Sequence, residues 1–167
     1  MAKNYFTCSL FLFFFLIFIA SVVEALSSSD PNTTLITTAT CEIFSTENFG
    51  AKSHGVIVLR QYFQSGATRE EGDKIFVVIN GTLENVTPPG YHGFHVHEKA
   101  PSESWGCSML GPHLNPFNQL HGAINKYPKR HLGDLGNVLA DEFGKVDVNI
   151  IDSFIQVGQV SNGIQCL

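Results

Sequence analysis

The 167-residue chain has little charge. Asp, Glu, Lys and Arg make up 15% of it, and 10 basic residues are outnumbered by 15 acidic ones, for a net charge of −5. That balance argues against nucleic acid and anionic membrane surfaces as partners. No stretch sustains an apolar period of 3.6 residues, which excludes a helical bundle. No internal repeat is visible, which excludes a repeat array. One apolar run stands out, at residues 10–20. It falls short of the ~20 apolar residues needed to cross a bilayer of ~30 Å. With Lys3 before it and Val23-Glu24-Ala25 after it, it reads as a secretory leader, residues 1–25, cleaved after Ala25. Lys3 and Glu24 leave together, so the net charge is unchanged. No other run could span a membrane, so the expected mature chain is secreted, extracellular and free of membrane.

Three Asn-x-Thr sequons, at Asn32, Asn80 and Asn85, fit that route and make the chain a candidate glycoprotein. Asn80 stands inside a strand-like run, an awkward place for a glycan. Of the four cysteines, Cys8 belongs to the leader, leaving Cys41, Cys107 and Cys166. An odd number in an oxidising compartment reads as one disulfide and one free thiol, with the pairing open.

Residues 26–40 are rich in Ser and Thr and contain Pro31, so they read as a flexible approach to the domain. From Cys41 onward, short β-branched or aromatic runs alternate with Gly, Asn, Asp and Pro. Strands are expected at 41–44, 55–63, 74–83 and 93–98. Residues 136–140 and 145–151 read as a hairpin pair around Asp141-Glu142-Phe143-Gly144. In the last run Val146, Val148 and Ile150 alternate with Lys145, Asp147 and Asn149, the period of a half-buried strand. An all-β sandwich or barrel follows. Residues 99–133 carry little strand signal, and a connection that long is usually functional or ordered by something other than a core.

The chemistry gathers there. In Gly93-Phe94-His95-Val96-His97-Glu98 the two histidines are two apart, so on a strand they share a face while Phe94 and Val96 turn inward. The long connection adds His113 in Gly111-Pro112-His113-Leu114-Asn115-Pro116, His121 before Gly122, and His131 three residues before Asp134. Three nitrogens and one oxygen form a closed tetrahedral donor set that suits Zn²⁺. Imidazoles suit copper as well. His54 has no partner in sequence and reads as a surface residue. His92 reads as packed or hydrogen-bonded.

These motifs, together with Gly106-Cys107 and Arg130-His131-Leu132-Gly133-Asp134-Leu135-Gly136-Asn137, come in one order and resemble the copper/zinc superoxide dismutase family. Weaker similarity runs back to Cys41 and forward to about Ile155, so residues 41–157 are the expected domain. The resemblance implies a Greek-key β-barrel or sandwich of immunoglobulin-like architecture. It implies copper on His95, His97 and His113, which are also the catalytic residues, and zinc on His113, His121, His131 and Asp134, with His113 bridging. The implied reaction turns superoxide into oxygen and hydrogen peroxide. Cys107 matches the family's disulfide cysteine, and Cys166 is the candidate partner. The family's dimers imply a possible homodimer.

Past about Gln156 the resemblance fails, and residues 158–167 are expected to be a tail outside it. The family's remaining segment carries a fourth copper histidine, a charged guiding loop, an arginine, the partner cysteine and the last two strands. Here no histidine follows His131 and no arginine follows Arg130. The expectation is therefore a barrel lacking its last two strands. The alternative function is a truncated metal-binding protein, holding zinc and a partial copper site, with little or no dismutase activity.

Overall fold

The computed structural model describes residues 7–9, 30–44, 53–66, 68, 70–99, 110–126 and 128–157. Among the described residues there are seven strands: β1 (Thr7–Ser9), β2 (Thr33–Phe44), β3 (His54–Gln64), β4 (Lys74–Glu84), β5 (Gly90–His95), β6 (Asp134–Ala140) and β7 (Val146–Asp152). The helical content among the described residues is a single 3₁₀ turn at Ile124–Lys126. One antiparallel sheet runs in the order β1-β2-β3-β4-β7, and β5 pairs with β6 in a second. No helix among the described residues is long and apolar enough to cross a membrane.

The period-2 pattern builds the core. On β4, Val77, Ile79 and Leu83 point inward, as do Ile57 and Leu59 on β3 and Val146 and Val148 on β7. Phe94, Leu132, Leu135, Val138 and Ala140 cover them from the other layer in one continuous apolar cluster. The fold is thus an all-β sandwich, in which each layer shields the apolar face of the other.

Four expectations need correction. First, the segment expected to be flexible, 26–40, is strand from Thr33 onward, and the strand expected at 41–44 is its far end. Thr33, Thr34, Ile36, Thr37 and Thr38 are β-branched and favour extended backbone, and all but Ile36 pair with β3 between Gln64 and Arg60. A bulge at Ile36 lets the register continue. Second, the strands begin earlier than Cys41 in the chain: Thr7–Ser9 pairs with Glu42–Phe44 as an edge strand. Third, β6 and β7 are not a hairpin. Both bury alternate residues, but on facing layers, so the chain crosses between sheets at Asp141–Gly144. The Asp141 carboxylate accepts from the Phe143 and Lys145 amides there, and the Val86 amide donates to the Gly144 carbonyl, tying the turn to the β4–β5 link.

Fourth, the strand expected at 93–98 spans Gly90–His95. The β5–β6 register skips between Gly93 and His95, opposite Gly136, which takes φ +87°. Past that skip, His97 lies outside β5 and forms an isolated bridge to His113.

Cys41 is disulfide-bonded, so it is not the free thiol of the expected set. Cys107, Cys166 and the tail 158–167 lie outside the described residues. Of the sequons, Asn32 sits in an exposed turn before β2, and Asn80 lies mid-strand with its amide donating to Asn149 Oδ1 at 3.0 Å. Asn85 takes φ +58° just past β4.

Candidate metal centre

Three chain segments meet above β5 and β6. The end of β5 and the residues just past it carry His95 and His97, the turn after Pro112 carries His113, and the turn into β6 carries His131 and Asp134. A closed ring of main-chain hydrogen bonds joins them. The Val96 amide donates to the Gly133 carbonyl at 2.9 Å, Gly133 to Leu114 at 2.9 Å, and Leu114 to Val96 at 2.8 Å. Each member lies beside a histidine or the aspartate, so the ring places all three segments at once. Further out, Glu98 and Lys99 donate to the Pro112 and Leu110 carbonyls, which sets His97 beside His113. Gly93 leaves room for the His95 ring: a Cβ there would stand 2.5 Å from His95 Cε1.

Gly133 has no room for a side chain, because its Cβ would collide with the Val96 carbonyl oxygen and stand 3.0 Å from the Leu114 amide nitrogen. Both atoms belong to the ring. Gly133→Ala should therefore pry the turn away from β5, lowering stability by about 1–3 kcal/mol and loosening zinc. Thermal melting in the presence and absence of zinc checks this. A variant with unchanged melting in both states would show that the ring tolerates displacement.

Asp134 is the centre of the cluster. It is 1% exposed. Its Oδ2 accepts from the Gly122 and His131 amides, both at 3.0 Å, which fixes the carboxylate and leaves Oδ1 to the imidazoles. His113 Nδ1 lies 2.7 Å from Oδ1, His121 Nδ1 3.0 Å and His131 Nδ1 3.3 Å. Burial would raise the Asp134 carboxyl, but hydrogen bonds from the Gly122 amide, the His113 ring and the His131 amide outweigh it and hold it below the ordinary range.

The donor atoms of His113, His121, His131 and Asp134 all lie within 4.8 Å of one another. A tetrahedron with Zn–N bonds of 2.0–2.1 Å has an edge of about 3.3 Å, close to the spacings found. His131 Nδ1 is buried and makes no hydrogen bond. A buried polar atom left unmet costs about 1–3 kcal/mol, and a cation at the cluster centre would satisfy it. The residues fit zinc in number, chemistry and spacing. The His121 side chain is 61% exposed, so the cluster opens to solvent on that side.

His113 is also the hub of the imidazoles. Its ring centroid lies 4.0 Å from His95, 5.1 Å from His97, 5.3 Å from His121 and 5.6 Å from His131. With Nδ1 on the Asp134 side, Nε2 remains for a second cation. His97 Nδ1 meets the Gly111 carbonyl at 2.9 Å. A carbonyl only accepts, so Nδ1 carries the proton and the Nε2 lone pair of the neutral ring is free. The His95 ring stacks on His113 at 24°, so it must turn edge-on before the two can share an ion.

Burial, and then the neighbouring His113 ring, push His95 down to about 4. Burial also lowers His113, against the pull of Asp134. Both rings are therefore neutral, as ligands must be, at neutral pH. A histidine whose folded pKa is depressed stabilises the fold above its unfolded value and loses that contribution as pH falls. Metal-free protein should lose stability between about pH 6.5 and 4. Melting temperatures across that range check the sign, and a constant value would contradict it.

The remaining histidines lie elsewhere. His92 Nε2 meets the Pro88 carbonyl at 2.7 Å, and His54, exposed, pairs with Glu84 at 3.7 Å. Sequence reasoning missed Arg130 and Asp152, a buried ion pair directly beneath the cluster. The signal was there: Asp152 continues the inward register of Val146, Val148 and Ile150, and a carboxylate on a core face requires a buried cation.

A family model described as copper/zinc superoxide dismutase (SODC) matches residues 54–165. An extracellular superoxide dismutase (Cu-Zn) of Brugia pahangi is 39% identical over 93 residues, 56% of this chain and 45% of that one. A superoxide dismutase (Cu-Zn) of Onchocerca volvulus is 37% identical over 107 residues, 63% of this chain and 66% of its own length. Among solved structures, the crystal structure of the clock protein EA4 superposes with a TM-score of 0.50 and 31% identity. That superposition covers 77% of this chain and 67% of that one. The chain spans roughly half to two thirds of the curated relatives it matches.

Proposed function

The chain belongs to the copper/zinc superoxide dismutase family, and from that premise we propose that it is a secreted metalloprotein that converts two superoxide anions and two protons into oxygen and hydrogen peroxide. The observation that best supports the reading is the gathering of three imidazole nitrogens on one Asp134 oxygen. In this reading His113, His121, His131 and Asp134 hold zinc, and His95, His97 and His113 hold copper. Copper, alternating between Cu²⁺ and Cu⁺, would supply the electron transfer.

The chain's own residues set the conditions for it. His113 presents one nitrogen to each side, and positive charge at Asp134 would make its second ring proton easier to remove. His97 is fixed in a single tautomer by the Gly111 carbonyl, and His95 is kept neutral by burial. The net charge of −5 opposes the approach of an anion, so association should be slow for the family. Residues 1–25 act as the leader, and cleavage after Ala25 would remove β1, three residues of edge strand.

Metal-loaded, purified chain should consume superoxide faster than the same concentration of free copper, and a rate no better than free copper would end the enzymatic reading. A second reading is a metal-holding protein with slow turnover. It is favoured by the histidine inventory: with His54 and His92 engaged elsewhere, the copper side draws on three nitrogens, and a changed donor set shifts copper's potential and metal preference. Zinc retained in native mass spectrometry without superoxide consumption would select it.

A further inference from the structure

Behind the turn that carries His131 and Asp134 lies a guanidinium. Arg130 is 1% exposed, and the turn closes in front of it through the Asp134 amide and the His131 carbonyl at 3.2 Å. Its Nη1 donates to the carbonyls of His131 at 3.0 Å, Leu132 at 3.3 Å and Asp134 at 2.8 Å. Its Nε donates to the Ile124 carbonyl at 3.1 Å, and its Nη2 to Asp152 Oδ2. Five acceptors thus converge on one planar fork, three of them in the connection that supplies the cluster, one at the start of β6 and one at the end of β7.

The anchor beneath is itself fixed. Asp152 Oδ1 accepts from the Phe154 and Ile155 amides at 2.8 and 2.7 Å. The Phe154 ring lies 5.2 Å from the guanidinium carbon and stacks on Phe117 of the long connection at 5.5 Å. The carbonyls gathered by Arg130 belong to the peptides flanking His131 and Asp134, so their orientation determines where His131 Nδ1 and Asp134 Oδ1 stand.

We propose that Arg130, seated on Asp152, is a positioning residue for zinc: it sets the geometry and affinity of the centre by holding the backbone of the His131–Asp134 turn, and so couples the end of β7 to metal retention. The inference rests on the metal-centre reading above. Lysine cannot take the role, since an ammonium offers three donors from a single point and lacks the planar fork. Neutralising Asp152 leaves a buried cation uncompensated a few residues from the bound metal, which disfavours a second cation nearby.

The test uses the full-length chain, with Arg130→Lys and Asp152→Asn as variants. Zinc affinity is read by competition with a chromophoric chelator, and ligand geometry by the visible bands of Co²⁺ bound in place of zinc. Both variants should bind zinc ~10–100-fold more weakly, the usual penalty for losing an outer support of metal ligands, and both should shift the Co²⁺ bands. A purely structural role would lower the melting temperature of the metal-free protein but leave affinity and bands unchanged in the folded fraction. If Arg130→Lys fails to fold, the near-isosteric Asp152→Asn decides. Unchanged zinc affinity and unchanged Co²⁺ bands in the folded variants would overturn this inference alone. A wild-type chain that bound neither Zn²⁺ nor Co²⁺ would overturn the metal-centre reading and this inference with it.

Discussion

Asp134→Asn should cost the protein about two orders of magnitude in zinc affinity. Structural zinc sites bind with ~10–16 kcal/mol shared among four ligands, so one ligand accounts for about 3 kcal/mol, or ~100-fold. Asparagine is nearly the same shape, but neither orientation of its amide works. If the NH₂ takes the place of Oδ2, it faces the Gly122 and His131 amides, and donor meets donor. If it takes the place of Oδ1, it faces three imidazoles and has no lone pair for a cation. The substitution also removes the negative charge from a donor set whose other members are neutral. Chelator competition measures the affinity, and melting with and without zinc measures how much of the stability is metal-linked. An Asn variant that holds zinc as tightly as the wild type would remove Asp134 from the ligand set.

His113→Ala should abolish superoxide consumption beyond that of free copper and weaken both metals at once. Among the histidines proposed for copper, His97 makes a sharp comparison. His97 touches the Gly111 carbonyl and the His113 ring but has no contact with Asp134, so His97→Ala should lower copper content and activity while leaving zinc in place. His113, at 2.7 Å from Asp134 and 4.0 Å between ring centroids from His95, belongs to both sides. Metal analysis after dialysis, alongside a dismutase assay, separates the cases. Loss of copper alone in His113→Ala would mean that it does not bridge.

The sequence made the core strands legible where the period was clean. β7 alternates apolar and polar residues along its length, and β3 and β4 are β-branched and aromatic runs bounded by turn residues. The gathering of His121, His131 and Asp134 around His113, with His95 and His97 beside it, was legible because histidines at strand spacing and a His-x-x-Asp turn carry a chemical pattern that survives without coordinates. What could not be read depended on tertiary partners. The Thr-rich start of β2 resembles a loop in composition, and it becomes a strand because β3 offers it a ladder. The turn at Asp141–Gly144 has hairpin chemistry, yet which sheet each flanking strand joins is decided by the layer that buries Val138 or Val148. β5 stops at His95 because of a register skip in its neighbour, information that lies 40 residues downstream. The part played by Arg130 depends on Asp152, 22 residues away, which the fold places beneath it.

The ring of amides through Val96, Leu114 and Gly133 has a consequence for how this region can change. Its donors and acceptors are all peptide groups, which every residue but proline can supply. Substitution at Val96 or Leu114 alters packing but leaves the ring's chemistry intact, and only Gly133 is constrained by space. The scaffold that brings the imidazoles together is thus largely insulated from mutational drift. New side chains can be tried around the centre, altering its metal preference or its access to solvent, without dismantling the frame that gathers them.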